Sequence, residues 1–189
     1  MSLRIIAGQF KGRKLFSPKG EEVRPTAAVV REALFSILGY EIEGARVLDL
    51  FAGTGSIGFE ALSRGAQRVT FVERLPDARN AILKTAEHLG VTNQIEVIDA
   101  NAAGKIRHRI DQEVQFDLVF IDPPYGHERP AKILGRIISE GLLAEGAFVV
   151  YEQQRNEVQA RPVEGLVHVD ERRYGRTVLT FFTRSENDG

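Results

Sequence analysis

Residues 46–58, RVLDLFAGTGSIG, join a short apolar segment directly to a glycine-rich turn. The apolar segment favours a strand that is buried on both faces of a sheet. The glycines at positions 53, 55 and 58 fit the pattern G-x-G-x-x-G, in which the backbone can approach a bound ligand closely. A strand, such a turn and a helix make up the first unit of a doubly wound α/β fold. The alternative is a tight strand-to-helix turn that binds nothing.

Apolar and amphipathic segments alternate through the rest of the chain. Strands are predicted at 46–51, 69–73 and 95–98, within 116–125, and at 147–152. Helices are predicted at 26–38, from the glycine turn to about 64, at 77–89 and at 129–140, with a short one after 99–101. Segments 166–172 and 176–183 indicate a closing antiparallel pair. We therefore predict a Rossmann-like α/β fold, with a mainly parallel seven-stranded sheet and a C-terminal antiparallel strand pair.

The amino-terminal end carries a net positive charge. Seven Lys and Arg residues lie in the first 31 positions against two Glu, although the 189-residue chain has a net charge of -1. We predict a β-hairpin over 4–17 with a two-residue turn at Lys11-Gly12, followed by a helix that Thr26 caps. Cations around a helix start suit nucleic-acid phosphates, but they equally suit a solvated helix end. We divide the chain into a basic hairpin extension (1–25), a main domain (26–184) and a frayed tail (185–189).

A second motif follows the predicted fourth strand. Residues 116–125, FDLVFIDPPY, end an apolar segment in a carboxylate, two prolines and an aromatic ring. Proline has no N–H, so the Asp122 carboxylate and the Pro123 carbonyl are both available as acceptors. Two acceptors could hold an exocyclic amine of a nucleobase and stabilise the positive charge that develops on it, while Tyr125 stacks on the base. The alternative is a strand that ends in a proline turn.

Three further carboxylates follow or end predicted strands. The glycine turn alone suits NAD, FAD or S-adenosylmethionine. Asp49 would repel a pyrophosphate but would favour a ligand with an ammonium and a sulfonium, as in S-adenosylmethionine. Glu73 lies 20 positions after Gly53, where an acid can meet ribose hydroxyls. Asp99 could accept an adenine amine, or it could cap a helix.

Composition excludes several classes of protein. The chain has no cysteine, so disulfides, thiolate zinc sites and ring-carbon methylation through a covalent cysteine adduct are excluded. No apolar run approaches 18 residues, so we expect a soluble, cytoplasmic protein without a membrane partner. His108 and His127 are expected to be solvated loop residues.

The motifs together resemble a known family. Residues 47–55 resemble the first motif of class I S-adenosylmethionine-dependent methyltransferases, and residues 122–125 are similar to their amino-methylating signature. Segments 4–9, 12–15, 24–26 and 30–35 resemble the RsmD family of bacterial 16S rRNA guanine-N2 methyltransferases, which modify the guanine at position 966. The resemblance covers about residues 3–183. Ser36 departs from it, since family members commonly have Asn there.

The resemblance implies roles for particular residues. The target amine and base would be held by Asp122, Pro123, Pro124 and Tyr125. The cofactor S-adenosylmethionine would be held by Asp49, Phe51, Ala52, Gly53, Thr54, Gly55, Glu73, Asp99 and Ala100, without a metal. The 16S rRNA, in the assembling or assembled small subunit, would be held by Arg4, Lys11, Arg13, Lys14, Arg24, Thr26 and Arg31. We expect a monomer.

The expected reaction is a direct in-line displacement, in which the guanine N2 attacks the sulfonium methyl and S-adenosylhomocysteine leaves, while the proton leaves to Asp122 or, after methyl transfer, to water. Alignment of the reactants and fixed acceptors would accelerate it. Three alternatives stay open from the sequence. The acceptor could be another planar amine, in DNA adenine or cytosine or a protein glutamine. The chain could be a nicotinamide-dependent oxidoreductase, against which Asp49 and the DPPY segment argue. It could also be a non-catalytic RNA-binding module.

Overall fold

The computed structural model describes residues 3–18, 25–100, 106–111, 113–124 and 129–185. The helices are α1 (Pro25–Leu38), α2 (Ser56–Ser63), α3 (Pro76–Leu89) and α4 (Pro130–Ser139). The strands are β1 (Arg46–Leu50), β2 (Arg68–Val72), β3 (Ile95–Ile98), β4 (Phe116–Ile121), β5 (Leu143–Gln154), β6 (Leu166–Tyr174) and β7 (Thr177–Arg184). Short 3₁₀ turns lie at Gly39–Ile42, Thr92–Gln94 and Arg107–Arg109.

All seven strands form one sheet in the order β3-β2-β1-β4-β5-β7-β6. Strands β1 to β5 are parallel, whereas β7 pairs antiparallel with both β5 and β6. The order reverses between β1 and β4, and ligands of such sheets bind outside the carboxyl ends of the strands at this switch point. The predicted fold class is confirmed.

The sheet has a hydrophobic core on each face, because alternate side chains of every strand point to opposite sides. Val47, Val69 and Phe71 contribute to the core that also contains α1, α2 and α3 side chains. Leu48 and Val72 contribute to the opposite core, which α4 covers. This two-sided burial explains why the parallel strands are almost continuously apolar in sequence.

Two boundaries differ from the prediction for physical reasons. Strand β5 was predicted over 147–152 but covers Leu143–Gln154, because pairing with β4 extends its start and pairing with β7 extends its end. Helix α1 begins at Pro25, so Thr26 lies inside its first turn and the predicted capping position was wrong. Proline suits a first helical position because its missing N–H needs no partner there.

The amino-terminal segment pairs antiparallel, but its turn is longer than predicted. An isolated bridge joins Arg4 to Lys14, and the Ile5 amide donates to the Arg13 carbonyl. The two-residue turn at Lys11-Gly12 was wrong, because Gly12 donates back to the Ile5 carbonyl and residues 6–12 form a wider loop. We call residues 3–18 the arm.

The close contact between α2 and β2 makes a first prediction. A Cβ atom on Gly58 would lie 2.3 Å from Phe71 Cε1 and 2.7 Å from Val69 Cγ1, both of which are buried side chains. We expect Gly58→Ala to lower the free energy of unfolding by about 1–3 kcal/mol. Gly135→Ala is the control, because an added Cβ meets nothing within 4 Å there. That control should raise the stability by up to about 1 kcal/mol, the helix-propensity gain of Ala over Gly. Urea unfolding measures both, and equal stabilities of the two variants would contradict the packing.

Candidate active site at the carboxyl edge of the sheet

The candidate site lies where β1, β2 and β4 end side by side. In the parallel register Leu50 of β1 is opposite Val72 of β2 and Ile121 of β4. The residues that follow these strands are the glycine turn, Glu73 and Asp122. The topology therefore places one element of each predicted motif on a single edge, which we call the rim.

The backbone of the glycine turn is unusual from its first residue. Phe51 has a φ of 61° and is the one non-glycine residue with a positive φ in the described part of the chain. The Ala52 amide donates to the Val72 carbonyl (3.1 Å), and the Gly55 amide closes the turn onto the Ala52 carbonyl (2.7 Å). A strained non-glycine residue at a strand end is common at ligand sites, where the surrounding structure maintains the strain. Thr54 lies in the same turn and is partly buried.

Glu73 ties this turn to the end of β2. The residue is 7% exposed, and its Oε2 accepts from the Gly53 amide at 2.8 Å. Its Oε1 accepts from the Leu75 amide at 2.7 Å. Each carboxylate oxygen can accept more than one hydrogen bond, so Glu73 retains capacity for a hydroxyl. Its first role in this structure is to shape the turn.

Asp49 lies beneath the turn at the end of β1. It is 4% exposed, and its Oδ2 accepts from the Gly58 amide of α2 at 3.0 Å. Burial raises the pKa of Asp49 well above its usual value; the Gly58 hydrogen bond opposes this shift, and the charges of Asp122 and Glu73 add to it. The charges of Asp122 and Glu73 therefore disfavour the ionised form of Asp49, and a cation bound at the rim would favour it.

Asp99 follows β3 at the outer end of the rim. Its Oδ1 accepts a hydrogen bond from Nη1 of Arg79 at 2.9 Å, and its side chain is 67% exposed. The same guanidinium also donates to the carbonyls of Glu73 (3.2 Å) and Arg74 (2.7 Å). Ala100 is half-buried beside Asp99. Sequence reasoning missed Arg79, whose signal was a cation in the first helical turn after an acidic strand end.

Asp122 follows β4 directly beside the glycine turn. Its amide donates to the Leu50 carbonyl at 3.5 Å, and its side chain is exposed at the rim. Its charge is close enough to raise the pKa of Asp49. Pro123 is half-buried and Pro124 is exposed, while Tyr125 and His127 lie outside the described residues. The backbone of Asp122 therefore lies beside the end of β1, and its charge acts on Asp49 beneath the turn.

Glu152, on β5 next to the end of β4, is a residue that the sequence did not single out. It follows Tyr151, which is opposite Ile121 in the register. Its pKa is raised to about 8, mainly by burial and also by the charge of Asp122. Burial likewise raises the pKa of the Tyr151 phenol, with Glu157 and Asp122 adding to it. A glutamate at the end of a predicted buried strand was the available signal.

The raised pKa of Glu152 predicts a pH dependence of stability. The folded state holds the proton up to about pH 8, whereas the carboxyl ordinarily titrates at 4.5, so folding takes up a proton between these values. The stabilising effect of that proton is complete below the lower value and is lost as the pH rises to about 8. We expect Glu152→Gln to flatten the fall in unfolding free energy over this window. Urea titrations across the window test this, with Glu145→Gln on an exposed position of β5 as control; equal slopes for all three proteins would contradict it.

The predicted basic residues fall into two groups. The first group has exposed side chains on the arm and consists of Arg4, Lys11, Arg13 and Lys14. Two of them also hold the arm: Arg4 Nη1 donates to the Gly12 carbonyl (2.7 Å), and Arg13 Nη2 donates to the His88 carbonyl (2.6 Å). Arg24 lies outside the described residues.

Arg31 differs from the exposed phosphate clamp that the sequence suggested. It is 3% exposed, with Nη2 donating to the Arg4 carbonyl at 2.8 Å and Nε 3.6 Å from Glu60 Oε2. Its guanidinium is directed inward because the arm covers it. Arg31 therefore stabilises the docked arm by a hydrogen bond to its backbone in this structure.

Three other expectations concern groups away from the rim. His108 is exposed on a 3₁₀ turn. Across the described ranges, no three or more His, Cys, Asp or Glu side chains are grouped as metal ligands would be. None of the helices in the described part of the chain has the length and apolar content needed to cross a bilayer.

The strand order, the glycine turn and the acidic rim together define a Rossmann-like methyltransferase fold. A putative methyltransferase from Escherichia coli, yhhF, superposes with a TM-score of 0.85 at 27% identity, over 99% of this chain and 100% of that one. The Thermus thermophilus 16S rRNA N2 G1207 methyltransferase RsmC, solved with AdoMet and guanosine, superposes with a TM-score of 0.68 over 98% of this chain and 50% of that one. At 18% identity the second likeness is one of fold alone.

The chain belongs to the family described as conserved hypothetical protein 95, whose model matches residues 3–183. A curated relative, the ribosomal RNA small subunit methyltransferase D of Haemophilus influenzae, is 35% identical over 161 residues, which cover 85% of this chain and 83% of the relative. The family resemblance inferred from the sequence motifs is thereby confirmed.

Proposed function

We propose that this protein transfers a methyl group from S-adenosylmethionine to the exocyclic N2 amine of a guanine in 16S rRNA of the small ribosomal subunit. One observation carries the proposal: Asp122 follows β4 immediately beside the glycine turn that follows β1, with their strands in register. An acceptor for an amine and a loop suited to a nucleoside cofactor therefore share one edge. The names of the curated relatives favour rRNA as the substrate.

The rim residues fit S-adenosylmethionine better than a dinucleotide. The pKa of Asp49 is raised mainly by burial, and the negative charges of Asp122 and Glu73 add to that shift. A pyrophosphate would add to that negative charge, whereas an ammonium and a sulfonium would offset it. When bound, S-adenosylmethionine supplies the methyl group on its sulfonium. Glu73 is the candidate to bind its ribose, and Asp99 is the candidate to bind its adenine. The backbone of residues 51–55 is the candidate for the segment that approaches the cofactor closely.

On the acceptor side, Asp122 and the Pro123 carbonyl take the two N–H groups of the amine. This orients the nitrogen lone pair towards the methyl group and stabilises the positive charge that forms on nitrogen. Holding both reactants in line lowers the entropic part of the barrier. Tyr125, outside the described residues, is proposed to stack on the unstacked base, which partly offsets an unstacking cost of about a few kcal/mol.

The arm is proposed to hold the rRNA backbone. Its exposed cations, Arg4, Lys11, Arg13 and Lys14, lie on one short segment. Such cations neutralise phosphates without reading sequence, so they would position the RNA while the pocket selects the base. We further propose that the protein acts as a monomer, in the cytoplasm where small subunits assemble.

The direct test is methyl transfer to small subunits that lack their native modifications. Purified protein and S-adenosylmethionine with a labelled methyl group should label one guanine of 16S rRNA at N2, as located by nuclease mapping and nucleoside mass spectrometry. Naked 16S rRNA, DNA and protein acceptors are run in parallel. Label that appears instead in DNA or on glutamine would replace the proposed substrate. Binding of rRNA without any label would indicate a non-catalytic module.

The role of Asp122 predicts a separation of binding from turnover. Asp122→Ala should lose roughly a hundredfold or more in methyl-transfer rate, comparable to removing one preorganised group around a transition state. Cofactor affinity, measured by isothermal titration calorimetry, should change far less than the rate does. The control is Asp111→Ala, which removes an exposed carboxylate before the amino end of β4 and should keep the wild-type rate. Wild-type turnover in Asp122→Ala would exclude the assigned role.

A further inference from the structure

Glu60 is a fully buried carboxylate that the proposed chemistry does not use. It lies on α2, seven residues after Gly53, and is 0% exposed. Its Oε2 accepts from the Ile6 amide at 2.8 Å, and its Oε1 accepts from the Ala7 amide at 2.9 Å. Both donors belong to the arm. Arg64 Nε donates to Oε1 at 3.0 Å, so backbone and cations together compensate a charge that would be very costly to bury alone.

Ser63 continues this contact one turn further along α2. Its hydroxyl donates to the Ala7 carbonyl (2.5 Å) and accepts from the Phe10 amide (3.0 Å). Its own carbonyl accepts from the Gln9 amide at 2.8 Å. Glu60 and Ser63 are three residues apart and share a helix face, so the arm backbone follows that face closely.

The approach between the arm and α2 requires glycine at position 8. A Cβ atom there would lie 1.8 Å from the Ser63 carbonyl oxygen, and the φ of +81° is one that other residues rarely adopt. Gly12 has a nearly equal φ of +80°, but an added Cβ there would meet nothing within 4 Å. An alanine at position 8 would therefore both strain the backbone and block the contact with α2, whereas an alanine at position 12 would only strain the backbone. Comparison of the two variants separates these effects.

The other end of the same helix is the proposed cofactor turn. The Gly58 amide bonds to Asp49, and the Phe59 amide donates to the Gly55 carbonyl at 2.9 Å. Helix α2 runs only from Ser56 to Ser63, so about 12 Å separates its ends at 1.5 Å per residue. We expect a helix of about two turns to move as one body, so that a shift of the arm would shift the turn as well.

We infer that Glu60 is a positioning residue, which couples the rRNA-holding arm to the cofactor turn through α2. The inference rests on the proposed function, since it assigns the two ends of the helix to the two reactants. Docking of the arm fixes the distance between the RNA contacts and the methyl donor. Because such coupling is reciprocal, cofactor binding should strengthen arm docking, and arm docking should strengthen cofactor binding.

A first experiment needs no rRNA. Amide hydrogen exchange of the arm is followed with and without S-adenosylmethionine, in the wild type and in Gly8→Ala, Gly12→Ala and Glu60→Gln. We expect the cofactor to slow exchange at Ile6, Ala7 and Gln9 by roughly fivefold or more in the wild type and in Gly12→Ala, at the low end of known couplings. Gly8→Ala and Glu60→Gln should lose that protection. A cofactor that binds but leaves these amides unchanged in the wild type would overturn the inference, whatever the substrate is.

A second experiment separates positioning from stability. With small subunits as substrate, Gly8→Ala should raise KM roughly tenfold or more, equivalent to about 1.4 kcal/mol, while Gly12→Ala changes it much less. Gly8→Ala should also abolish any tightening of S-adenosylmethionine binding by the subunit. If Glu60→Gln does not fold, Gly8→Ala alone decides. Equal KM values for the two glycine variants would overturn the inference, whereas absence of methyl transfer by the wild type would refute the proposed function instead.

Discussion

The hydrogen bond from the Gly58 amide to the buried carboxylate of Asp49 is the constraint on which the site depends. It joins the end of the central strand β1 to the first turn of α2, and so fixes where the helix starts relative to the sheet. The absence of a side chain at Gly58 lets the helix approach Phe71 closely. Because β2 and β4 flank β1, the positions of Glu73 and Asp122 at the rim are set relative to this one bond.

The distribution of charge follows from the same arrangement. Carboxylates collect at the carboxyl ends of the parallel strands, where burial and mutual repulsion raise the pKa of Asp49. The exposed cations of the arm lie on a separate segment, so the net charge of -1 conceals two surfaces of opposite character. A cationic cofactor suits the first surface and a phosphate backbone suits the second. The two reactants would thus be attracted to different parts of one small protein.

Much of this fold follows from the sequence, because strands buried on both faces leave continuous apolar runs and glycines mark the turns between them. The rim was also predictable, since the carboxyl ends of parallel strands share one edge. The length of β5 was not, because its two ends are set by Phe116 and Thr177 on other strands rather than by local pattern. The same holds for the raised pKa of Glu152, which depends on how packing buries this part of β5 and, to a lesser extent, on the charge of Asp122.

Glu60 shows where sequence reasoning stops. A glutamate four residues before an arginine on a short helix has the pattern of an exposed ion pair, which contributes little to stability. Its burial arises only because Ile6 and Ala7, more than 50 positions earlier, fold over it and donate their amides. Arg31 is buried by the same arm, which explains why a cation expected at the surface is directed inward. The residues that join the two halves of the proposed reaction therefore carry no motif, because their role is created by long-range packing and not by local chemistry.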